Sequence, residues 1–313
     1  PKKIDGNILI VHNKKVFFKY NLFFLVNYFL TIITRNRLDF KNIFHQLRQE
    51  TCFALKMDSF LKEILSKKKI DRLYLPYESQ TFQNKIILTA KAYKIKVYGY
   101  DHSVDALPIN NIYKSPSPDF LYIHSHAQKN IYIKFLKWPK KKIISIPSLR
   151  FLKKGKQFFD QKVFLPYNIL SKDELIKNFE IFLNYFSSKK IKPFNVRIHP
   201  FQKKFEKHNL FKKEINDLIK NYENIFSNTS KYSYSVFFGA TSSVIEALEN
   251  GSNVIHIVDN ATFETYSSKL WPSINVNMIN KNIFRYTLKT KNKCITFGNR
   301  QRNFNLPNFL PKV

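Results

Sequence analysis

Three hydroxyl side chains, Thr241, Ser242 and Ser243, stand together just after the apolar run Val236–Phe238 and the turn residues Gly239 and Ala240. A helix-period stretch follows, and Gly251 closes it. A strand ending at Phe238 and a helix starting near Ser242 would gather backbone N–H groups and hydroxyls at a helix N-terminus. That end carries partial positive charge and unpaired donors, so it suits a phosphate. The spacing also has a plainer reading: Ser243 with Glu246 three residues on is a capping box, which satisfies the helix's own donors. Capping accounts for Ser243 and Glu246 but leaves Thr241 and Ser242 over, so a phosphate explains the whole cluster better. A second strand end is "NVRIHP", where His199 leaves the sheet and Pro200 stops the strand from extending. A histidine beside a proline can be structural or simply exposed. On the same rim as a hydroxyl cluster, its imidazole and two serine hydroxyls could neutralise one phosphate without a metal.

The elements that must position these residues alternate along the chain. "NILIV" (7–11) reads as a buried strand, and residues 40–69 carry apolar residues at helical spacing, among them Phe53, Leu55, Phe60, Leu61, Ile64 and Leu65. Strands follow at 70–78, 95–100, 119–125 and 141–147, with helices at 79–94, where Ser79 is the expected N-cap, and at 126–137. The alternation pauses around the basic stretch 148–161 and then restarts. Strands at 162–167, 194–200, 234–239 and 253–258 are separated by helices at 171–186, 211–225 and 242–250. Strands alternating with helices predict parallel sheets. The expected fold is therefore α/β, with two Rossmann-like doubly wound parallel-sheet domains, 1–150 and 151–313, facing a cleft. Ligands in such sheets bind beyond the carboxyl ends of the strands, where the motifs above lie.

The 313 residues suffice for two cores, and the apolar fraction is an ordinary 44%. Charge is less ordinary, at a formal +31. Nucleic acid, anionic lipid and phosphorylated substrates all suit such a surface, and so does codon bias, since Lys, Asn, Ile, Phe and Tyr are abundant together. Cys52 and Cys294 are far apart and have no metal-like spacing, which fits reduced thiols in the cytoplasm. No signal peptide is legible. The stretch 16–33 has the length of a membrane span, but Lys19, Asn21 and Asn27 interrupt it. A buried helix, or a strand followed by a helix, is the favoured reading there, with insertion as the alternative.

A strand ending in "HP", followed by a strand, "TSS" and a helix, resembles the nucleotide-binding half of bacterial sialyltransferases and polysialyltransferases of the two-Rossmann glycosyltransferase fold (GT-B). The resemblance covers roughly residues 160–260 in this half. It implies that His199 of the His199–Pro200 pair, with Ser242 and Ser243, contacts the phosphate of a CMP donor, and that Asn168 lies near the leaving nucleotide. Upstream, "LPYESQTFQNKIILTAKAYKIKVYGYDHS" is similar to a signature of bacterial surface-carbohydrate biosynthesis proteins, in which the second strand ends in Gly-Tyr-Gln-His-Ser. Asp101 stands here at the Gln position. The stretch 117–151 looks like the last strand, helix and strand of such a domain and ends near Arg150.

The resemblance implies a nucleotide-sugar on the C-terminal half and an acceptor with its base on the N-terminal half. Glu78, at a strand end, would take the proton of the acceptor hydroxyl. It could instead serve the helix at 79 or pair with a surface lysine. Asp101 is the alternative base, and His102 would orient a carboxylate or touch the acceptor. Arg150 and Arg197 are candidates to pair with the donor sugar's carboxylate, or they face solvent. A CMP donor has one phosphate, which a histidine, hydroxyls and a helix dipole can balance, and the sequence has no Asp-x-Asp metal motif. No cofactor or metal is therefore expected. The implied donors are CMP conjugates of sialic, legionaminic or pseudaminic acid or of Kdo, and Glu78 as base implies inversion. The implied acceptor is a glycan or lipid-linked saccharide, met in the cytoplasm with a peripheral contact to the anionic inner membrane face. A GT-B transferase using a UDP-sugar or CDP-polyol is the close alternative. A basic nucleic-acid-binding protein is the distant one. Lysines spread over the whole chain, with no nucleic-acid module, argue against it.

Overall fold

The computed structural model of the chain describes residues 38–67, 69–291 and 293–298; for residues 38–50 and for Cys52 it describes the backbone alone. The strand expected at 7–11 and the apolar stretch 16–33 lie outside the described residues. The chain divides into two compact units. Of the described residues, one takes those from 38 to 75, Ser79–Val97 and Ser115–Pro118; the other takes Pro76–Glu78, Tyr98–Lys114 and those from 119 to 298.

In the first unit, helix α1 (Leu38–Lys67) packs on helix α2 (Thr81–Ala92). Ala54 and Leu61 of α1 are buried, as are Ile86, Ile87 and Ala90 of α2, at the helical spacing that the periodicity predicts. Asp58 is buried in α1 and accepts the hydroxyl hydrogen bond of Thr89. Lys62 pairs with the same carboxylate at 2.9 Å, so its charge is balanced within the helix pair. Ser79 is not the N-cap of α2. It sits in the left-handed region at φ 56°, and the cap position falls on Gln80, whose N–H donates to Gln83 Oε1 at 3.1 Å.

Strands β1 (Arg72–Pro76), β2 (Lys96–Tyr100), β3 (Phe120–Ile123) and β4 (Ile143–Ser145) form a sheet in that order, with β2, β3 and β4 parallel. Helix α3 (His126–Lys134) connects β3 to β4, and the Ser125 hydroxyl caps it by accepting from Gln128 N–H.

The second sheet has six strands in the order β6-β5-β7-β8-β10-β9. Its strands are β5 (Lys162–Phe164), β6 (Asn195–Arg197), β7 (Ser235–Phe238), β8 (Val254–Ile257), β9 (Ile274–Asn280) and β10 (Ile283–Leu288). Helices α4 (Lys172–Tyr185), α5 (Glu206–Asn221), α6 (Ser243–Glu249) and α7 (Ala261–Glu264) intervene. All four residues of β7 are buried, and they divide between its two faces. Val236 and Phe238 join Phe179 and Phe182 of α4 and Phe211 of α5 in one core. Phe237 points the other way and stacks on Phe164 of β5, with ring centroids 4.6 Å apart. Coverage on both faces explains why the strand is a continuous apolar run. Truncating Phe238 to Ala would cost about 3–5 kcal/mol.

The architecture is thus α/β with two sheets, with one correction to the expected parallel pattern. Strands β5 to β8 are parallel, but β10 runs antiparallel to both β8 and β9. This hairpin comes from residues 274–288, a stretch without a recognisable motif. A turn at Lys281 and Asn282 is too short for a crossover, and antiparallel pairing is the arrangement such a turn permits. Among the described residues no helix is long and apolar enough to cross a membrane.

Candidate functional site

The parallel order β6-β5-β7 puts a reversal of strand order at β5, where a doubly wound sheet opens at its carboxyl edge. Phe164 is level with Arg197 on one side and with Phe237 on the other, so the loops after the three strands leave from one edge. Strands β6 and β7 are two strand spacings apart, about 10 Å. His199 lies two residues beyond β6, and Thr241–Ser243 lie three to five beyond β7. Arg197, His199, Pro200 and Asn168 are exposed at this edge. The His199 ring meets Tyr167 edge-on at 5.2 Å, and its Nδ1 accepts the Phe201 N–H at 3.3 Å. Its Nε2 therefore carries the proton in the neutral ring and can donate.

The hydroxyl cluster differs in detail from the spacing argument. Ser242 takes the N-cap position of α6 without a side-chain cap hydrogen bond, and the capping box of Ser243 with Glu246 is not formed. Glu246 is buried and pairs with Lys154 at 2.9 Å, which ties it to the segment before β5. Thr241 Oγ1 accepts the Ser243 N–H at 3.2 Å, and its carbonyl takes the Val244 N–H at 3.4 Å. The expected supply of open backbone donors is correspondingly smaller. The hydroxyl protons remain. Thr241 and Ser242 both accept from backbone N–H groups, so each hydroxyl keeps a proton to donate, although Ser242 is itself buried.

The turn that carries them is braced from behind. Gly239 has φ 66°, and its N–H donates to Ile257 O at 2.8 Å. A Cβ there would meet Pro166 at 3.4 Å, in a conformation that other residues rarely adopt. The fully buried His256 reaches the Gly239 carbonyl with Nε2 at 2.7 Å. Burial pushes its pKa down to about 4, so this imidazole is neutral at physiological pH and donates through Nε2–H.

The carboxyl edge of the four-stranded sheet supplies acids. Glu78 is half-buried, and Ser103 Oγ donates to its Oε1 at 2.6 Å. Asp101 is buried and accepts from Gln128 Nε2, from Tyr132 Oη at 2.7 Å and from the Ser103 N–H at 3.3 Å. Burial raises its pKa well above the carboxylate range despite those donors. It therefore orients the loop that follows β2, while Glu78 keeps access to solvent. His102 is exposed, with its pKa lowered by burial of part of the ring and by Arg150. Arg150 donates to the His102 carbonyl at 2.8 Å, so its guanidinium stands with this acidic group; Arg197 ends β6.

Four residues were not legible in advance. Ser103 links the two acids. Asp105 is exposed by surface area, yet enough protein surrounds it that burial, with the charge of Glu78, raises its pKa to about 6. Tyr266 is fully enclosed, and its hydroxyl donates to the Val104 carbonyl at 2.8 Å with the Thr241 carbonyl 3.2 Å away. Trp271 Nε1 holds Ala106 O at 3.1 Å. The loop 101–106 is thereby fastened to the Thr241–Ser242 turn, and Val104 N–H donates to Ser242 Oγ at 3.1 Å. Two hydrogen bonds on adjacent residues, Ser103 to Glu78 and Val104 to Ser242, join the acid to the hydroxyl cluster. The only sequence signal for Ser103 was its place beside Asp101 and His102; Tyr266 and Trp271 lie in "NATFETYSSKLW", which carries no motif.

Among the described residues no group of three or more His, Cys, Asp or Glu side chains could hold a metal ion. No family model and no curated protein matches the chain. The resemblance to sialyltransferases therefore rests on the residues quoted for it. One solved structure, a glycosyltransferase from Rickettsia africae ESF-5, is similar over 73% of this chain and 68% of its own, with 12% identity and a TM-score of 0.37. So distant a likeness leaves the fold to be read from the strands themselves.

Proposed function

We propose that the chain is a glycosyltransferase that moves a 2-keto-3-deoxy sugar acid from its CMP conjugate to a hydroxyl of a glycan or lipid-linked acceptor. The observation that carries this reading is the hydrogen-bonded run from Glu78 through Ser103 and Val104 to Ser242. A carboxylate suited to accept a proton and hydroxyls suited to hold a phosphate are held by one loop. Proximity of this kind lowers the barrier only when both ends are fixed, which the Tyr266 and Trp271 contacts provide.

In this reaction Glu78 takes the proton of the acceptor hydroxyl as its oxygen bonds to the anomeric carbon. The bond from that carbon to the CMP phosphate oxygen breaks, and the electron pair leaves with the phosphate. In this reading the hydroxyls of Thr241, Ser242 and Ser243 and the Nε2–H of His199 donate to that growing negative charge. Arg150, near Asp105, pairs with the carboxylate of the sugar acid, with Arg197 at the end of β6 as the second candidate. Attack opposite the leaving group inverts the anomeric centre. One phosphate balanced by hydroxyls and an imidazole requires no metal, so turnover in excess chelator should equal turnover without it.

The test is incubation with a panel of CMP-sugars and measurement of CMP release, alongside calorimetry with CMP, CDP, UDP and GDP. Release from one of the CMP-sugar acids, with CMP bound most tightly, is the expected result. Preference for any other nucleotide overturns the donor assignment.

A further inference from the structure

Beside His199 the surface carries an aromatic and basic cluster that the transfer chemistry does not use. Tyr167 and Phe201 are 49% and 53% exposed, and their rings lie nearly parallel at 6.3 Å. Phe205 is 39% exposed and 6.1 Å from Phe201. Lys204 Nζ stands over both phenylalanine rings, at 4.3 and 5.2 Å. Lys203 and Lys207 are exposed on either side, with Glu206 as the one acid between them. Buried His208 bonds the Tyr167 carbonyl through Nε2 at 3.1 Å, so the loop after β5 and the start of α5 present these rings together.

Large rings left in water cost free energy that covering their apolar surface would recover. Lysines around rings are the composition that sits at a lipid headgroup level, rings toward the acyl boundary and ammonium groups toward phosphate. A nucleobase is a poorer occupant, because Phe201 is already engaged by Tyr167 and by Lys204. Positive charge against negative headgroups supplies the complementarity.

We infer that Tyr167, Phe201, Phe205, Lys203, Lys204 and Lys207 form a docking surface for an anionic lipid bilayer. The surface stands without the transferase reading. Where that reading holds, it brings the His199 edge to the plane where a lipid-linked acceptor lies.

Flotation of the full chain with vesicles tests this. Vesicles of phosphatidylcholine with about a quarter phosphatidylglycerol should carry the protein up, and pure phosphatidylcholine should not. Replacing Lys203, Lys204 and Lys207 together by Ala should weaken binding about 100-fold, the factor for three lysines near an anionic surface. Phe201→Ser with Phe205→Ser should weaken it at least tenfold. Both positions are exposed, and serine suits the cap position that Phe205 occupies at α5, so melting curves should stay close to wild type. The control removes Lys137, Lys140 and Lys141, which are exposed elsewhere. If that triple weakens binding as much, the overall charge does the binding and the inference is overturned. Wild-type binding by the double serine variant overturns it too. So does a loss of CMP affinity in the lysine variant with vesicle binding unchanged, which would make the cluster part of a ligand site. Failure of CMP release with vesicle binding intact would sink the transferase reading alone.

Discussion

Beside each sheet stands a pair of histidines of which one is buried and the other exposed. His124 after β3 and His256 in β8 are completely buried; His102 after β2 and His199 after β6 are exposed. The buried pair brace the fold. His124 Nδ1 lies 2.9 Å from Ser148 Oγ and 3.2 Å from Tyr100 Oη, and burial drives its pKa down to about 3. His256 holds the Gly239 turn by the same logic. The exposed pair stay within reach of a ligand. The carboxylates divide likewise, Asp101 being enclosed and surrounded by donors while Glu78 is half-buried. Residue type and nearness to a strand end are the same on both sides of this division. Only the environment separates a brace from a reactive group.

The division can be broken experimentally, most sharply at the acids. Glu78→Gln should lower CMP release by 10²–10⁴-fold with little change in melting temperature, since an amide oxygen still accepts from Ser103. Retained activity would remove Glu78 from the chemistry. Asp101→Ala should do the reverse. It strands the buried Tyr132 hydroxyl and Gln128 amide and should cost about 3 kcal/mol in urea unfolding. A stable, inactive Asp101→Ala would make Asp101 the base.

The histidines give the next contrast. The folded His256 stays neutral down to about pH 4, whereas the unfolded residue takes up a proton below about 6.5. Proton uptake by the unfolded state favours unfolding, so wild type should lose stability relative to His256→Gln as pH falls from 6.5 to 4. The expected slope is about 1.4 kcal/mol per pH unit. A flat difference would mean that the imidazole titrates in the fold. His199→Ala should leave stability alone and weaken CMP binding roughly tenfold, as loss of one hydrogen bond to a charged group does. Unchanged affinity would make His199 a bystander. The smallest effect belongs to Asp105→Asn. The folded acid, with its pKa near 6, binds a proton before the unfolded one does. The variant should therefore be slightly more stable than wild type above pH 6, and that advantage should fade by pH 4.

The order of strands and helices in the described chain was legible from the sequence, because hydrophobic period is a local property that burial on one or two faces imposes. The strand-end positions of Glu78, Asp101, His199 and the Thr241–Ser243 group followed from the same pattern. The C-terminal hairpin went unread although β9, "INVNMIN", alternates apolar and polar residues over its first five positions; its antiparallel place follows from pairing with β10. The choice between capping and binding at Ser243 was not legible. Glu246 fits a capping box on paper, but Lys154, far off in sequence, holds its carboxylate instead. The loop 101–106 shows the limit most clearly. Its fixation by Ser242, Tyr266 and Trp271 joins residues more than 130 positions apart. Local spacing carries no information about such partners, because they are selected by which surfaces the packed sheets bring within hydrogen-bond reach. Composition and period thus determined the α/β pattern and the reactive residue types; burial, and the long-range hydrogen bonds it makes worthwhile, decided which of those residues remain available to a substrate.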